Sequence, residues 1–411
     1  MSEFLKKYTN GGAQGSSPQE DHQPPPTASK FIKQQSTSLV AAVGKNGKKI
    51  KDIEIPLVDM RPSLFMRKST VLYGTSGSGK TYLIRDIMFL LRNRFARVWV
   101  FCPTNAQNNM YTGFVPNALI FDYPSIEIIR DIYEFQKVAR GIYETANKVE
   151  TLRSLFMKIP GNQKAILYER ELLKLQEVAM RKMRDQYSSD VKREEMAEKI
   201  REIMTEKLRQ HYKLLIGMKA DKLAAMELSE EERYTLKYLY FSPDSLVIFD
   251  DAMMEVDQII KKGKKDVNGD PVIQNFFFKG RHLFISTIYA MQSDKMFDPD
   301  LRKNTFTSIF TSSDEAMGYF GKASNGISID ERRDASACIE EIFSEKNKPK
   351  HMKFVYLKDS PHKYQYVIAA PHTKFPMCGE SVRRFCERIE ERSKSIDKTS
   401  KFAKKFAEYT K

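Results

Sequence analysis

The chain has 411 residues, 41% of them hydrophobic, which is enough for one large domain or two smaller ones around a substantial core. Its formal net charge of +15 favours a polyanionic partner such as nucleic acid or an anionic membrane surface. The four cysteines lack CxxC spacing, which argues against a zinc site. The chain shows no apolar leader typical of secretion and no apolar run long enough to span a membrane. We therefore expect a soluble intracellular protein.

The first segment, residues 1–47, is rich in Gly, Ser, Gln and Pro and includes three consecutive prolines from Pro24 to Pro26. This composition is typical of segments that cannot bury enough apolar surface to fold. We therefore predict a disordered N-terminal tail, followed at 48–124 by the first half of a folded core.

A complete G-x-x-x-x-G-K-[ST] phosphate-binding motif follows a predicted strand at 69–73 and precedes a predicted helix at 82–91. The glycines allow backbone N–H groups to surround an anion, and the helix presents its positive end to it. Lys80 is expected to reach the β- and γ-phosphates, and the Thr81 hydroxyl to bind Mg²⁺. The residues expected to contact a nucleoside triphosphate are Gly74, Thr75, Ser76, Gly77, Ser78, Gly79, Lys80, Thr81 and Tyr82.

The next apolar run, residues 96–102, predicts a second strand, and 118–121 a short third one. Two strands joined by a crossover helix form a βαβ unit, which places them in a parallel sheet. The sequence thus predicts an α/β fold with a mostly parallel central sheet.

Between 125 and 240 the charge density rises and helical periodicity dominates. Ser229 and Glu232 have the spacing of a capping box, which marks a helix start. We predict a long charged helical insertion here, dividing the core into 48–124 and 241–375.

The core resumes with a predicted strand at 245–251 that ends in Asp250 and Asp251. A carboxylate at the end of a parallel strand lies at the edge where a phosphate loop also lies. We expect Asp250 to hold Mg²⁺ together with Thr81, and Asp251 to act as the general base for the attacking water.

Further strands are predicted at 282–289 and 306–311, and a hairpin at 352–357 and 364–369. Gln292, beyond the first of these strands, is the predicted sensor of the γ-phosphate or the lytic water. Arg281 and Arg302 each precede a strand, and either could face a neighbouring subunit and act on its phosphates. Residues 376–411 predict a basic helix and tail.

Together these residues resemble one family. The motifs are the phosphate loop, Phe-Cys-Pro-Thr at 101–104, Leu-Val-Ile-Phe-Asp-Asp at 246–251, Gly-Arg-His at 280–282 leading to Ser-Thr and Gln292, and Leu-Arg-Lys-Asn at 301–304. They are similar to the genome-packaging ATPases of poxviruses and other nucleocytoplasmic large DNA viruses, in the FtsK/HerA class of motors. The resemblance covers about 51–122 and 242–370, without the insertion and the N-terminal tail.

The resemblance implies a RecA-like sheet, ATP as the nucleotide, a homo-oligomeric ring, and movement of double-stranded DNA into a capsid. Capsid or portal-vertex proteins would be partners, and the virion or the host-cell cytoplasm the location. The family often carries Glu after the first acid, where this chain has the shorter Asp251, and Glu255 is the alternative base. The positive charge suits a motor that follows DNA phosphates, with the insertion and Lys401, Lys404 and Lys405 as candidate contacts.

Other P-loop proteins remain as alternatives: a DNA helicase, a DNA-binding ATPase or scaffold, a nucleotide kinase, or a GTPase. The absence of an Arg-rich lid disfavours a kinase. A GTPase would carry Asn-Lys-x-Asp, whereas residues 147–150 end in Glu.

Overall fold

A computed structural model describes residues 38–43, 49–161, 163–186, 190–261, 272–293, 299–344 and 352–395. Its centre is an eight-stranded sheet, accompanied by a separate two-stranded antiparallel sheet, β1–β2. The strands are β1 (Ser38–Val43), β2 (Lys49–Ile55), β3 (Ser69–Tyr73), β4 (Arg97–Phe101), β5 (Ile120–Phe121), β6 (Ser245–Asp250), β7 (Ile285–Met291), β8 (Thr307–Phe310), β9 (Met352–Leu357) and β10 (Tyr364–Ile368).

The strand order in the large sheet is β10-β9-β8-β3-β7-β6-β4-β5. The six strands from β8 to β5 are mutually parallel, and β9 is antiparallel to both of its neighbours. The predicted α/β fold with a mostly parallel sheet and a terminal hairpin is therefore confirmed. Because the parallel strands share one direction, the loops after β3, β6, β7 and β8 all leave from the same edge, which we call the carboxyl edge.

Helices border the strands and fill the connections between them. They are α1 (Pro62–Phe65), α2 (Lys80–Leu91), α3 (Asn105–Asn108), α4 (Ile126–Ala146), α5 (Val149–Met157), α6 (Gln163–Gln186), α7 (Asp190–Met218), α8 (Ala220–Ala224), α9 (Glu230–Lys237), α10 (Met253–Lys261), α11 (Val272–Lys279), α12 (Pro299–Lys303), α13 (Ser313–Gly321), α14 (Ile329–Phe343) and α15 (Glu380–Ser395). None of the helices in the described ranges combines the length and hydropathy of a bilayer-spanning segment.

Two apolar clusters cover the two faces of the sheet, because side chains alternate between the faces along each strand. On one face, Leu72 and Ile248 pack with Leu83 and Ile87 of α2. On the other, residues such as Phe249 pack with α4, α11, α13 and α14. The result is a three-layer α/β/α core in which α2, the helix after the phosphate loop, lies against a buried sheet face.

The N-terminal boundary differs from the sequence prediction. Residues 38–43, which fall within the predicted disordered tail, form β1, which pairs with β2 in antiparallel register. Residues 39–43 are a short run of Leu, Val and Ala, which the composition of the whole segment concealed. The remainder of the predicted tail, 1–37 and 44–47, lies outside the described residues, as do the tail residues Lys401, Lys404 and Lys405.

The predicted helical insertion is confirmed as helical, but its first helix belongs to the core. In α4, Ile129, Ile132 and Tyr133 are part of the main apolar cluster. The buried Gln136 donates hydrogen bonds of 2.9 Å to the carbonyl oxygens of Pro243 and Leu283. Helix α4, the first helix of the predicted insertion, thus packs with the α/β core.

Helices α5, α7, α8 and α9 pack around a cluster of their own, which includes Leu155, Tyr212 and Ile216. The predicted capping box of α9 is present, with Ser229 and Glu232 each accepting a hydrogen bond from the other's backbone N–H. The insertion is therefore a helical unit with its own core, attached to the α/β layers through α4.

Candidate functional site

The phosphate-loop motif lies between β3 and α2 at the carboxyl edge. Gly79 has φ of 86° and forms the N-cap of α2, so this position favours glycine. A Cβ atom on Gly74 would lie 1.9 Å from Thr311 Oγ1, so a larger residue there would force the Thr311 side chain to move. Thr75, Ser76 and Gly77 are exposed at the tip, while Ser78, Gly79, Thr81 and Tyr82 are half-buried.

Lys80 is folded back over this loop. Its side chain is 5% exposed, and Nζ donates hydrogen bonds to the carbonyl oxygens of Gly74 (2.7 Å) and Thr75 (3.0 Å). These two bonds hold the ammonium against a loop whose N–H groups suit an anion.

Thr81 at the start of α2 and Asp250 at the end of β6 are in contact at the carboxyl edge. The Thr81 hydroxyl donates to Asp250 Oδ2 at 2.9 Å, and the buried Tyr111 hydroxyl donates to the same oxygen at 2.7 Å. Burial raises the pKa of Asp250, and the two hydroxyl donors partly oppose this shift. The other carboxylate oxygen, Oδ1, is buried and has no hydrogen-bond partner among the described residues.

This pair of oxygen ligands fits Mg²⁺. In the described ranges no three His, Cys, Asp or Glu side chains cluster as a metal site. Mg²⁺ is usually held by only one or two carboxylates, with waters and substrate phosphates completing the coordination. Thr81 and the unpartnered oxygen of Asp250 match that requirement, whereas a closed zinc-type site does not form here.

Asp251 follows β6 with φ of 55°, a left-handed conformation that turns the chain sharply at the carboxyl edge. Its Oδ1 lies 3.9 Å from Lys80 Nζ, and its side chain is 30% exposed. A partly exposed carboxylate beside the loop lysine can contact both the ligand and water. The alternative base, Glu255, makes no hydrogen bond or ion pair among the described residues.

Gln292 lies directly after β7, which extends two residues farther than the sequence predicts. Met291 pairs with Tyr73, and its carbonyl oxygen accepts a hydrogen bond of 3.0 Å from Gly74 N–H. Gln292 follows Met291 directly and is exposed, so it lies near the start of the phosphate loop. Its role as a γ-phosphate sensor stays a prediction.

The two candidate arginines lie at the opposite, amino edge of the sheet. Arg281 is in a 3₁₀ turn, Gly280–Leu283, before β7, and Arg302 is in α12 before β8. Since β7 has seven residues, Arg281 lies roughly 20 Å or more from the phosphate loop of its own chain. Arg281 is exposed, whereas Arg302 is 6% exposed. The structure therefore does not bring either arginine to the other site residues within one chain.

Several side chains at the carboxyl edge escaped the sequence analysis. Tyr111 follows β4 in an irregular segment that carries no motif. Glu315 Oε1 accepts a hydrogen bond of 3.1 Å from Thr75 N–H, and Lys353 Nζ donates one of 2.7 Å to the Ser78 carbonyl oxygen. For Lys353 the sequence did contain a clue. The lysine lies on the same face of a predicted strand as Val355 and Leu357, where an apolar residue would be expected.

No protein-family model matches the chain. A curated relative, the uncharacterized protein B354L of African swine fever virus (isolate Pig/Kenya/KEN-50/1950), is 27% identical over 368 residues, covering 86% of this chain and 96% of the relative. The uncharacterized protein 088R of invertebrate iridescent virus 3 is 28% identical over 97 residues, 22% of this chain and 37% of the relative.

Similar solved structures include the genome packaging NTPase B204 from Sulfolobus turreted icosahedral virus 2 in complex with ATP-gammaS. It is 13% identical to this chain, and the match covers 73% of this chain and 95% of the B204 chain, with a TM-score of 0.31. The pCW3 conjugation coupling protein TcpA with ATPgS is 12% identical to this chain. The match covers 88% of this chain and 72% of the TcpA chain, with a TM-score of 0.32.

Proposed function

We propose that this protein is an ATP-hydrolysing motor that translocates double-stranded viral DNA into the capsid during virion assembly. The observation that carries the proposal is the arrangement of Lys80, Thr81 and Asp250 at one sheet edge. Lys80 is held by two loop carbonyls, and the Thr81 hydroxyl bonds to Asp250 at 2.9 Å. This arrangement suits a nucleoside triphosphate with its metal ion.

In the proposed reaction, the loop N–H groups and Lys80 bind the phosphates, and Thr81 and Asp250 would hold Mg²⁺. The metal ion would neutralise charge on the β- and γ-phosphates. Asp251, next to Lys80, orients the attacking water and accepts its proton. Gln292, at the end of the neighbouring strand, senses the γ-phosphate.

An arginine from a neighbouring subunit would complete the site, because neither candidate reaches it within the chain. Arg281 suits this role better than Arg302, since Arg281 is exposed and Arg302 is buried. This supports a ring of identical subunits in which the amino edge of one subunit meets the carboxyl edge of the next.

The net charge of +15 supports double-stranded DNA as the moved substrate, because phosphate contacts from Lys and Arg require no base recognition. Capsid or portal-vertex proteins would be further partners, and the virion or the host-cell cytoplasm the place of action. The viral origin of the relatives agrees with this setting.

The test is ATP hydrolysis with and without double-stranded DNA at moderate salt. We expect DNA to stimulate turnover and Lys80→Ala to abolish it. Lys358→Ala is the matched control, since the exposed Lys358 also bonds to a backbone carbonyl, that of Lys303, but lies away from the site. Basal hydrolysis that double-stranded DNA does not change would contradict the motor. Phosphoryl transfer to a nucleotide acceptor would instead favour a kinase, and stimulation by single strands alone a helicase.

A further inference from the structure

Lys353 is a buried lysine at the carboxyl edge with no role in the proposed reaction. It is the second residue of β9, which lies next to β8, and its side chain is 3% exposed. It lies on the same face of the strand as Val355 and Leu357, which belong to the apolar cluster around α2. A lysine in this setting is unusual, because lysines are rarely buried unless they are paired.

The ammonium group of Lys353 contacts the phosphate loop. Nζ donates a hydrogen bond of 2.7 Å to the carbonyl oxygen of Ser78, the residue before Gly79. An ammonium has three N–H donors, and this is its only hydrogen bond among the described residues. Two donors therefore remain beside the loop that binds the anion.

Lys353 also lacks a counter-ion among the described residues. In the described part of the chain it forms no ion pair, whereas Lys80 has Asp251 at 3.9 Å. Burial, with a smaller contribution from the charge of Lys80, lowers the pKa of Lys353. A buried charge without a partner is destabilising, and a bound anion would relieve this.

We infer that Lys353 is a second phosphate-binding residue, whose counter-charge is the phosphate chain of the bound nucleoside triphosphate. This inference rests on the proposed function, because it requires that the loop bind a nucleotide. Lys80 and Lys353 then approach the phosphates from two different elements, α2 and β9. The terminal hairpin thereby becomes part of the nucleotide site rather than only a sheet edge.

A different role would be purely structural: Lys353 could hold the Ser78 carbonyl and so keep the loop in shape. The two roles differ in the nucleotide-free protein. If Lys353 is a clamp, removing its amine destabilises the loop and the fold. If its partner is the nucleotide, removing a buried unpaired charge leaves the nucleotide-free protein as stable as before, or more so.

The experiment compares Lys353→Met, Lys353→Arg and the control Lys358→Met in the full chain. A fluorescent ATP analogue with Mg²⁺ gives the dissociation constant, and thermal unfolding without nucleotide gives the stability. We expect Lys353→Met to weaken binding about tenfold or more, the loss typical of a hydrogen bond to a charged group, without a lower melting temperature. Lys353→Arg should recover part of the affinity, and Lys358→Met should match the wild type.

Two outcomes overturn the inference while the proposed function stands. One is wild-type affinity in Lys353→Met, and the other is weaker binding together with an equal fall in nucleotide-free stability. Lys80→Ala separates the two proposals, because it should lose binding whatever Lys353 does. If the wild type itself does not bind the analogue, the proposed function fails, and this inference fails with it.

Discussion

The two edges of the eight-stranded sheet carry their charged groups in different ways. At the carboxyl edge, Lys80, Lys353 and Asp250 are buried and hydrogen-bonded to nearby backbone or hydroxyl groups. At the amino edge, Arg281 is exposed, and its guanidinium lies 5.7 Å from the centre of the Phe306 ring. The three carboxyl-edge groups are held in place by contacts within the chain, whereas the exposed Arg281 is accessible to another molecule.

The described part of the amino edge contains a small cavity. It lies between Phe276, Arg281 and Phe306 and has a volume of about 40 Å³. An exposed arginine over an aromatic ring, beside so small a cavity, suits contact with a protein surface rather than capture of a small ligand. We therefore treat the carboxyl edge as the chemical edge and the amino edge as the contact edge.

The largest effect is expected at the carboxyl edge, from Asp250→Asn. Asparagine removes the negative charge but can still accept the hydrogen bonds from Thr81 and Tyr111. We expect ATP hydrolysis to fall below detection, because the Mg²⁺ ligand is lost, while the melting temperature is maintained. A coupled phosphate-release assay and thermal unfolding measure the two quantities. Wild-type turnover in this variant would refute the metal assignment.

At the contact edge, we expect substitution of the two arginines to have different effects. In Arg281→Ala we expect turnover of the assembled protein to fall about a thousandfold, as for loss of an arginine that stabilises phosphoryl transfer, with unchanged stability. In Arg302→Ala we expect instead a loss of about 1–3 kcal/mol in the free energy of unfolding, because the side chain is buried. Steady-state hydrolysis and denaturant unfolding distinguish these outcomes.

A mixing experiment tests whether Arg281 acts between subunits. Combining Arg281→Ala chains with Lys80→Ala chains places an intact arginine next to an intact phosphate loop in some interfaces. Recovery of hydrolysis in the mixture would support action in trans. Wild-type turnover of Arg281→Ala alone would remove Arg281 from the mechanism and with it the functional difference between the edges.

The smallest effect is expected from Tyr111→Phe, which removes one donor to Asp250 and leaves the ring in place. Partners that orient a metal ligand typically contribute 10- to 100-fold to metal affinity, and Thr81 still holds the same oxygen here. We therefore expect about a tenfold increase in the Mg²⁺ concentration needed for half-maximal hydrolysis. A Mg²⁺ titration at saturating ATP measures this. Tyr240→Phe, which removes the hydroxyl of an exposed tyrosine before β6, is a control of matched chemistry. An equal shift in both variants would argue against a specific role for Tyr111.

Much of the site was predictable because its signals are local in the sequence. The motif at 74–81 specifies a turn, a lysine and a hydroxyl within eight residues, and the apolar strand before Asp250 places that carboxylate at a strand end. Each of Lys80, Thr81, Asp250 and Gln292 lies at or after the carboxyl end of a predicted parallel strand. Because parallel strands run in the same direction, these residues could all be assigned to the carboxyl edge.

Contacts between distant segments were decided only by the tertiary structure. Lys353 and Ser78 are 275 residues apart, and Tyr111 and Asp250 are 139 apart; neither pair has a spacing that a motif could specify. The strand order brings β9 next to β8 and hence Lys353 to the loop. The same order puts Arg281 and the phosphate loop at opposite ends of adjacent strands. The sequence by itself thus indicated Lys80, Thr81 and Asp250 as candidates for phosphate and metal binding. The strand order decided which side chains meet within one chain, because proximity in a sheet depends on strand neighbours rather than on distance along the chain.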